Sequence, residues 1–273
     1  MNLAKRLHSF WKVAPIVMAL ALLKDAVQWM GWDFIPLDGL IPSLIAGAIF
    51  LIGFLLSQVL ADYREAERMP AEIRTALESI HDDVVNFAAQ KPSVDLDVFR
   101  KALVGVVEAF ERGVGMESHH KALEAAEAKV DGLSPLFAQL QALDMSERYL
   151  VRLKSAQDTL RRSIYRIDYI QKIQFVPSVH ILVRSLVVAS LFVLLFLKTS
   201  GAWEAMLIFL FVGYMFVYSL HLISLLDQPF RQGEGTVDDV SLYQLREFVE
   251  KIADETRASR VVAIDGGDMV PAA

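Results

Sequence analysis

Residues 205–226 read AMLIFLFVGYMFVYSLHLISLL and contain no Lys, Arg, Asp or Glu. A helix needs roughly 20 apolar residues to cross the hydrocarbon core of a bilayer, because each residue advances it by about 1.5 Å. The stretch therefore predicts a membrane-spanning helix. Residues 181–197, just before it, contain a single charge, Arg184, and predict another span when the lead-in 177–180 is included.

Two further apolar stretches lie near the N-terminus. Residues 41–60 carry no charge, and residues 13–23 are apolar until Lys24 and Asp25 follow, which we expect to mark the outer end of a short first span. Basic residues before an apolar stretch are also typical of a secretory signal peptide, but no small-residue cleavage site follows Leu23. We therefore expect four transmembrane helices, at about 10–31, 40–60, 177–198 and 204–226.

The composition excludes several classes of protein. Apolar residues make up 54% of the chain and charged residues 22%, so the apolar residues must be concentrated in segments. The net charge is −6 and no basic patch is interleaved with aromatic residues, which argues against a nucleic-acid partner. The chain has no cysteine, hence no disulfide or thiolate metal site. No Ser-His-Asp arrangement, phosphate loop or pair of catalytic carboxylates is recognisable, so we do not expect an enzyme.

The distribution of basic residues predicts the orientation in the cell membrane. Basic residues precede the first span and follow the second: Lys5, Arg6, Lys12, Arg64 and Arg68. By the positive-inside rule both termini and the long middle segment are cytoplasmic, and Trp29, Trp32 and Trp203 fall at the opposite interface. Arg184, near the start of its span, is expected to reach the cytoplasmic headgroups with its long side chain.

The middle segment is helical by its spacing of apolar residues and divides the chain into four parts. These are a transmembrane hairpin over 1–60, a cytoplasmic helical region over 61–176, a second hairpin over 177–226 and a cytoplasmic C-terminal segment over 227–273. The second span continues into the middle region, where Pro70 bends or restarts the helix. Asp95 or a neighbouring residue is expected to cap the helix after the break at residues 91–93, and a C-terminal helix is expected to run to about Ile252. The predicted class is all-α.

Three patches of this sequence resemble the bestrophin family of ion channels. The second span opens with Ile41-Pro-Ser-Leu-Ile, passes through Gly53-Phe54 and ends in Ala61-Asp-Tyr-Arg-Glu-Ala. The third span begins at Pro177, several residues before Val183-Arg184, and is followed by Gly201-Ala-Trp203. The last span ends in Asp227-Gln-Pro-Phe230, with Asp239-Val-Ser-Leu242 soon after. The order of the patches along the four spans matches that of a divergent, bacterial-type member of the family.

The resemblance implies a homopentameric channel for small ions, with anions such as chloride favoured. Its narrow neck would be lined by the second span of each subunit, at Ala46, Phe50 and Phe54, and would open into a cytoplasmic vestibule made by the middle helices. Residues four apart share one face of a helix, and a ring of apolar side chains can gate a pore by dewetting. Alternatively, these phenylalanines face lipid or a neighbouring helix. The competing function is a membrane-anchored helical scaffold or sensor that does not conduct, which a monomeric or dimeric mass in detergent would favour.

The acidic residues after the last span form a possible metal loop. Its members are Asp227, Glu234, Asp238 and Asp239. The resemblance implies calcium there, since animal members bind calcium in the corresponding region, and hard cations take several oxygen ligands from such loops. The loop does not match a complete ligand set, and capping of the following helix by Asp238 or Asp239 is the alternative. We expect no cofactor apart from this possible calcium.

The calcium alternative is tested by titration. We expect isothermal calorimetry of the purified protein with millimolar calcium to give no heat above dilution, because the acidic residues do not supply a full ligand set. A saturable heat that is lost in Asp227→Asn would instead establish a calcium site in this loop.

Overall fold

The computed structural model describes residues 8–36, 39–115, 119–172, 177–198, 202–227, 229–230 and 240–265. The helices are α1 (His8–Trp29), α2 (Leu40–Gln90), α3 (Leu96–Gly115), α4 (His119–Asp131), α5 (Leu133–Ala142), α6 (Glu147–Lys172), α7 (Pro177–Leu195), α8 (Ala202–Leu226) and α9 (Tyr243–Asp265). The strands are β1 (Ile35–Pro36) and β2 (Leu197–Lys198). The all-α class is confirmed, and the short ribbon is the only departure from it among the described residues.

The chain divides into two compact units. The first contains the described parts of Met1–Arg64 and Ile173–Pro229, and the second contains those of Glu65–Lys172 and Val240–Ala273. Helix α2 is continuous for 51 residues, so the second apolar stretch does continue as a helix into the middle segment. Whether the third stretch is also continuous with α6 depends on residues 173–176, which lie outside the described ranges.

The core of the first unit is mainly apolar. Side chains of α2, α7 and α8 form one buried cluster, in which Leu55, Val187 and Phe216 are almost fully enclosed. Helix α1 packs against α7 and α8. Every element of this unit therefore has one face on a common core.

Two helices of the described residues are long and apolar enough to cross a membrane. They are Leu40–Gln90 and Met206–Leu226, and the apolar part of α7, Val179–Leu195, is shorter. Only 22% of the most apolar stretch of either long helix is buried inside the chain. The core helix of a soluble protein would be mostly buried, so these helices leave large apolar surfaces to contact something other than this chain.

A buried lysine joins α1 to the end of α7. Lys24 is only 1% exposed, and its Nζ donates hydrogen bonds to the carbonyl oxygens of Leu195 at 2.9 Å and Leu197 at 2.8 Å. The last carbonyls of a helix lack partners within it, and a cation is favourable at this end of the helix dipole. Lys24 thus belongs to the interior of the unit, level with the end of α7. The expectation that it marks the outer end of a short first span stays a prediction.

A parallel ribbon of two strands holds the two interhelical connections of the first unit together. Ile35 pairs with Leu197 and Pro36 with Lys198, and the Ile35 amide donates to the Phe196 carbonyl at 3.1 Å. The rings of Phe34 and Phe196 lie 5.5 Å apart, centroid to centroid. The connection between α1 and α2 and the connection between α7 and α8 therefore lie at the same end of the unit.

The second unit is a bundle of amphipathic helices with a conventional apolar core. Leu77, Leu103, Leu133 and Phe248 are fully buried in it. Arg166 of α6 forms a bidentate ion pair with Glu65 of α2: its Nε donates to Oε1 at 2.7 Å and its Nη2 donates to Oε2 at 2.8 Å. These hydrogen bonds lower the pKa of Glu65. The unit contains the buried surface that a water-soluble domain needs.

Two local predictions in the second unit have different outcomes. The Asp95 carboxylate accepts hydrogen bonds from the amides of Asp97 and Val98, which confirms it as the cap of α3. Helix α2, by contrast, is one helix through Pro70, so the predicted alternative of a restart was wrong and the alternative of a bend stays a prediction. A proline inside a helix costs about 3 kcal/mol, and the buried Met69 and Ile73 beside it supply apolar contacts that offset this cost.

The C-terminal helix is longer than the sequence indicates. Helix α9 runs from Tyr243 to Asp265 rather than ending near Ile252. The Ser241 hydroxyl accepts a hydrogen bond from the Tyr243 amide at its start, whereas Asp238 and Asp239, the expected caps, lie outside the described residues. The extension matters because it contains Glu255, which reaches buried side chains of the same unit.

Lys24 provides a test of the first unit. Replacement by Met keeps the length of the side chain but leaves two buried carbonyls without a donor, so we expect a loss of roughly 2 to 4 kcal/mol. Thermal unfolding in detergent should show a midpoint several degrees lower than for the wild type. Lys198→Met, at an exposed lysine of the adjoining strand, is the matched control and should be near neutral. Equal midpoints for the two variants would contradict a structural role of Lys24.

Candidate functional site

The N-terminal half of α2 has one buried face and one exposed face. Ala48, Ile52, Leu55 and Val59 repeat at three- and four-residue spacing and are enclosed in the core of the first unit. Residues on the opposite side do not contact that core. The helix therefore presents a longitudinal stripe that none of the described residues of the unit covers.

The three residues of the predicted neck all lie on this exposed stripe. Phe50 is 72% exposed and Phe54 is 61% exposed, and Ala46 is also exposed. Their spacing of four places them one above another on successive turns. The structure brings them together on one face of α2.

The stripe also carries small and polar residues, which distinguishes it from a uniform apolar surface. Gly47 and Gly53 lie beside the phenylalanines, and a Cβ at either glycine would meet no atom within 4 Å. One turn beyond Phe54, Ser57 and Gln58 are exposed although they lie in the apolar stretch. Glycines permit close approach of another helix, and polar groups in a span are unfavourable against lipid. The composition of the stripe thus favours contact with protein or water over contact with lipid tails.

The acidic residues are only partly within the described ranges. Asp227 lies at the end of α8, where its Oδ1 is 3.8 Å from Nε2 of His180 on α7. Glu234, Asp238 and Asp239 lie outside the described residues. No group of three metal-ligating side chains occurs among the residues that the structure describes. The calcium hypothesis stays a prediction.

Arg184 lines a cavity of about 530 Å³ in the first unit. The cavity lies against α7 and α8, and its wall also contains His180 and Asp227. Arg184 is exposed and makes no ion pair with any described residue. Its guanidinium is therefore placed beside a space that a ligand can enter, which adds a second possibility to the expected contact with headgroups.

The second unit encloses a polar cluster that sequence reasoning did not single out. His81 is 4% exposed, and its Nε2 lies 3.2 Å from the Glu255 carboxylate. Burial lowers the pKa of His81, an effect that the negative charge of Glu255 opposes. Arg100 on α3 is 3.5 Å from the same carboxylate. The cluster therefore joins α2, α3 and α9 through one shared charge.

A buried carboxylate lies two residues after His81 on the same helix. Asp83 is enclosed and pairs with the exposed Arg152 of α6 at 2.8 Å. Burial raises the pKa of Asp83, and the charge of Arg152 opposes that shift. Both sets of contacts tie α2 to neighbouring helices of the second unit.

A periodic pattern in the sequence places Lys24 and His81 among buried residues. Lys24 follows Val17 and Ala21 at helical spacing and precedes Val27, all of them buried. His81 similarly lies four residues after the buried Leu77. A polar residue on an apolar stripe has to find a partner inside the fold, although the stripe alone does not say which partner.

The comparisons with known proteins identify the fold. A crystal structure of a variant bacterial bestrophin homologue from Klebsiella pneumoniae is similar with a TM-score of 0.69 at 12% identity, over 90% of this chain and 97% of that chain. The chain has the bestrophin fold. Another variant of the Klebsiella pneumoniae homologue gives a TM-score of 0.66 at 13% identity, over 90% of this chain and 99% of that chain.

The bestrophin fold therefore extends over almost the whole chain despite a low identity. A crystal structure described as a membrane protein gives a TM-score of 0.66 at 14% identity, over 89% of this chain and 98% of that chain. No protein-family model and no curated protein matches the sequence. The resemblance inferred from the three sequence patches is confirmed in the fold.

Proposed function

We propose that this protein is a bestrophin-like ion channel of the cell membrane, in which several copies of the α2 stripe line a central pore. The observation that carries the proposal is the stacking of Phe50 and Phe54 on a helix face that the chain leaves uncovered. In a closed ring, such side chains make an apolar constriction from which water is readily expelled. Ion flow through the neck would then depend on its width and on how far it is wetted.

The apolar surface of the first unit supports placement in a membrane. Its exposed large side chains include Trp11, Met18, Leu22, Ile181, Val188, Leu207 and Phe211. These belong to α1, α7 and α8, so the surface is not confined to α2. Apolar surface on several helices of one unit is favourable in lipid and unfavourable in water.

The fold of the first unit supports four spans with both termini in the cytoplasm. The paired strands at Ile35 and Leu197 hold the two interhelical connections at one end of the unit. The α1–α2 and α7–α8 hairpins therefore have their connections on one side of the membrane. The start of α1, the exit of α2, the start of α7 and the end of α8 then lie on the opposite side. The positively charged residues around Lys12 and Arg64 then lie inside, as the positive-inside rule expects.

A homopentamer is proposed because one α2 stripe cannot enclose a pore. Closed cyclic symmetry brings the same face of each subunit to the axis. Gly47 and Gly53 allow close approach of helices along that face. The number five comes from the family resemblance, and the mass of the particle in detergent tests it. A monomer or dimer would exclude the pore and favour the membrane-anchored scaffold.

The lining of the proposed pore carries no formal charge. Residues 41–60 contain no Lys, Arg, Asp or Glu, and the polar groups on the stripe after Phe54 are those of Ser57 and Gln58. A charged ring therefore does not select the ion in this segment. Selection in an uncharged neck depends on the dehydration of the ion, and chloride or other small anions are proposed on the family resemblance.

The first test removes the constriction. Phe50→Ala combined with Phe54→Ala should raise ion flux in proteoliposomes, because the smaller side chains widen the neck and reduce its tendency to dewet. We expect an increase of about tenfold or more for a neck that limits conduction, measured with and without chloride as the permeant ion. Phe211→Ala, at a phenylalanine of α8 that is 73% exposed, is the matched control and should leave the flux unchanged. Unaltered flux and rectification in the double variant would exclude the neck.

The second test uses the absence of cysteine from the chain, which makes any introduced thiol unique. A charged, membrane-impermeant thiol reagent should block flux through Phe54→Cys, because water must reach this position in a pore. The same reagent should leave Leu55→Cys unaffected, since that neighbour is buried in the core of the unit. Equal reactivity of the two positions, or no reactivity at residue 54, would place the stripe away from an aqueous path.

A further inference from the structure

The cavity beside Arg184 combines a polar end with an apolar wall. His180, Arg184 and Asp227 contribute polar groups, and the floor is formed by Leu55, Val183 and Ile223, which are fully buried. Its volume of about 530 Å³ lies within the range of small-molecule sites. The volume is too small for a complete diacyl lipid and is suited to a headgroup with its glycerol.

The polar end offers both signs of charge. The guanidinium of Arg184 makes no ion pair with a described residue, while Asp227 is half-buried, with its carboxylate 3.8 Å from His180. Arginine recognises phosphate through paired N–H donors. A carboxylate accepts hydrogen bonds from an ammonium group. The two side chains are therefore complementary to a ligand that carries a phosphate and an ammonium together.

The apolar wall continues onto the outer surface of α7. Ile181 and Val188 line the cavity and are also more than half exposed. They lie two turns apart, so they form an apolar track roughly 10 Å long on the face of the helix. An acyl chain that leaves the cavity can follow this track without exposing its surface to water.

We propose that this cavity binds a phospholipid with a zwitterionic headgroup that carries a primary ammonium, as in phosphatidylethanolamine. Arg184 holds the phosphate, Asp227 accepts hydrogen bonds from the ammonium, and the acyl chains lie along Ile181 and Val188. Arg184 is seven residues from the start of α7, about 10 Å along the helix axis, a depth at which its side chain can reach the headgroup layer.

Charge complementarity favours this lipid over the alternatives. A purely anionic lipid such as phosphatidylglycerol satisfies Arg184 through its phosphate but has no ammonium, so it leaves the negative charge of Asp227 without a counter-charge. A choline headgroup is zwitterionic but has no N–H to donate to the carboxylate. A water-soluble headgroup without acyl chains leaves the apolar track uncovered. The lipid with an ammonium headgroup is the one that uses all three features of the cavity.

The experiment compares four ligands on the detergent-purified full chain. Retention by native mass spectrometry and the rise in thermal midpoint are measured with phosphatidylethanolamine, phosphatidylcholine, phosphatidylglycerol and glycerophosphoethanolamine. We expect the first to be retained in preference to the other three. Weak binding of glycerophosphoethanolamine assigns the site to a lipid rather than to a free phosphate ester. Equal retention of all three lipids by the wild type would overturn the proposal.

Variants test which residues hold the headgroup. Arg184→Gln and Asp227→Asn should each weaken phosphatidylethanolamine binding by about tenfold or more, since each removes one charge-assisted hydrogen bond. Ser224→Phe, at an exposed residue of the cavity wall, should obstruct the space and abolish retention. Lys198→Gln removes an exposed lysine at the other end of α7 and should retain the lipid. Unchanged affinity in both charge variants would overturn the proposal.

Two checks keep the outcome separate from that of channel activity. The thermal midpoint measured without lipid shows whether each variant has folded. If Arg184→Gln does not fold, Ser224→Phe still tests the cavity, because it retains both charged residues. The inference depends on the proposed membrane placement of the first unit, which fractionation of cells measures directly, and not on conduction. If the protein retains the lipid but conducts no ions, the lipid site is supported and the proposed pore is excluded. A cavity covered by a neighbouring copy would retain no lipid and would refute the site.

Discussion

The first unit depends on the hydrogen bonds of one buried cation. The ammonium of Lys24 binds the carbonyls at the end of α7, which the fold shields from water. Two of its three N–H donors serve the carbonyls of Leu195 and Leu197, and the charge of Asp33 also acts on it. A chain that turns from α7 into β2 exposes these carbonyls, and in an apolar unit each unsatisfied group costs one to several kcal/mol. The lysine allows the turn to be made inside the fold, and it fixes α1 against α7 at the same time.

That fixed turn has a consequence for the exposed stripe of α2. Ile35 pairs with Leu197 just before α2 begins, so the start of α2 is tied to the end of α7. Ile41 and Ala48 then pack into the core of the unit. Because a helix is rigid over a few turns, the rotational setting of these two buried residues also sets the direction of Phe50 and Phe54. The exposed face therefore follows from burial of the opposite face, without any contact of its own.

The sequence predicts the helices of this protein better than it predicts the contacts of its polar residues. Apolar runs and the Asp95 cap depend on neighbours along the chain, and the structure has the predicted helices and the cap. The continuity of α2 through Pro70 and the length of α9 depend on tertiary packing, which local propensity does not contain. The partner of Lys24 is 171 residues away, so no local pattern could have named it.

The candidate site shows the same division between what is local and what is not. The alignment of Ala46, Phe50 and Phe54 on one face is a property of helical spacing, and it could be stated from the sequence. Whether that face is covered by the rest of the chain is a tertiary property, and the structure was needed to show it uncovered. The glycines and the uncharged polar residues of the stripe are the local features that bear on what this face contacts.

Two cations in apolar surroundings of the first unit, Lys24 and Arg184, differ in how the fold treats them. Lys24 is enclosed, and its ammonium donates hydrogen bonds to backbone carbonyls of the same chain. It is therefore not available to bind a ligand. Arg184 is exposed at a cavity that also contains a carboxylate. A charge in such a setting is stable only if water, protein or a headgroup meets it. Lys24 therefore stabilises the fold, whereas Arg184 is placed to bind a ligand. Both residues lie in apolar helices of similar composition, so the direction of their N–H donors is what separates the two roles.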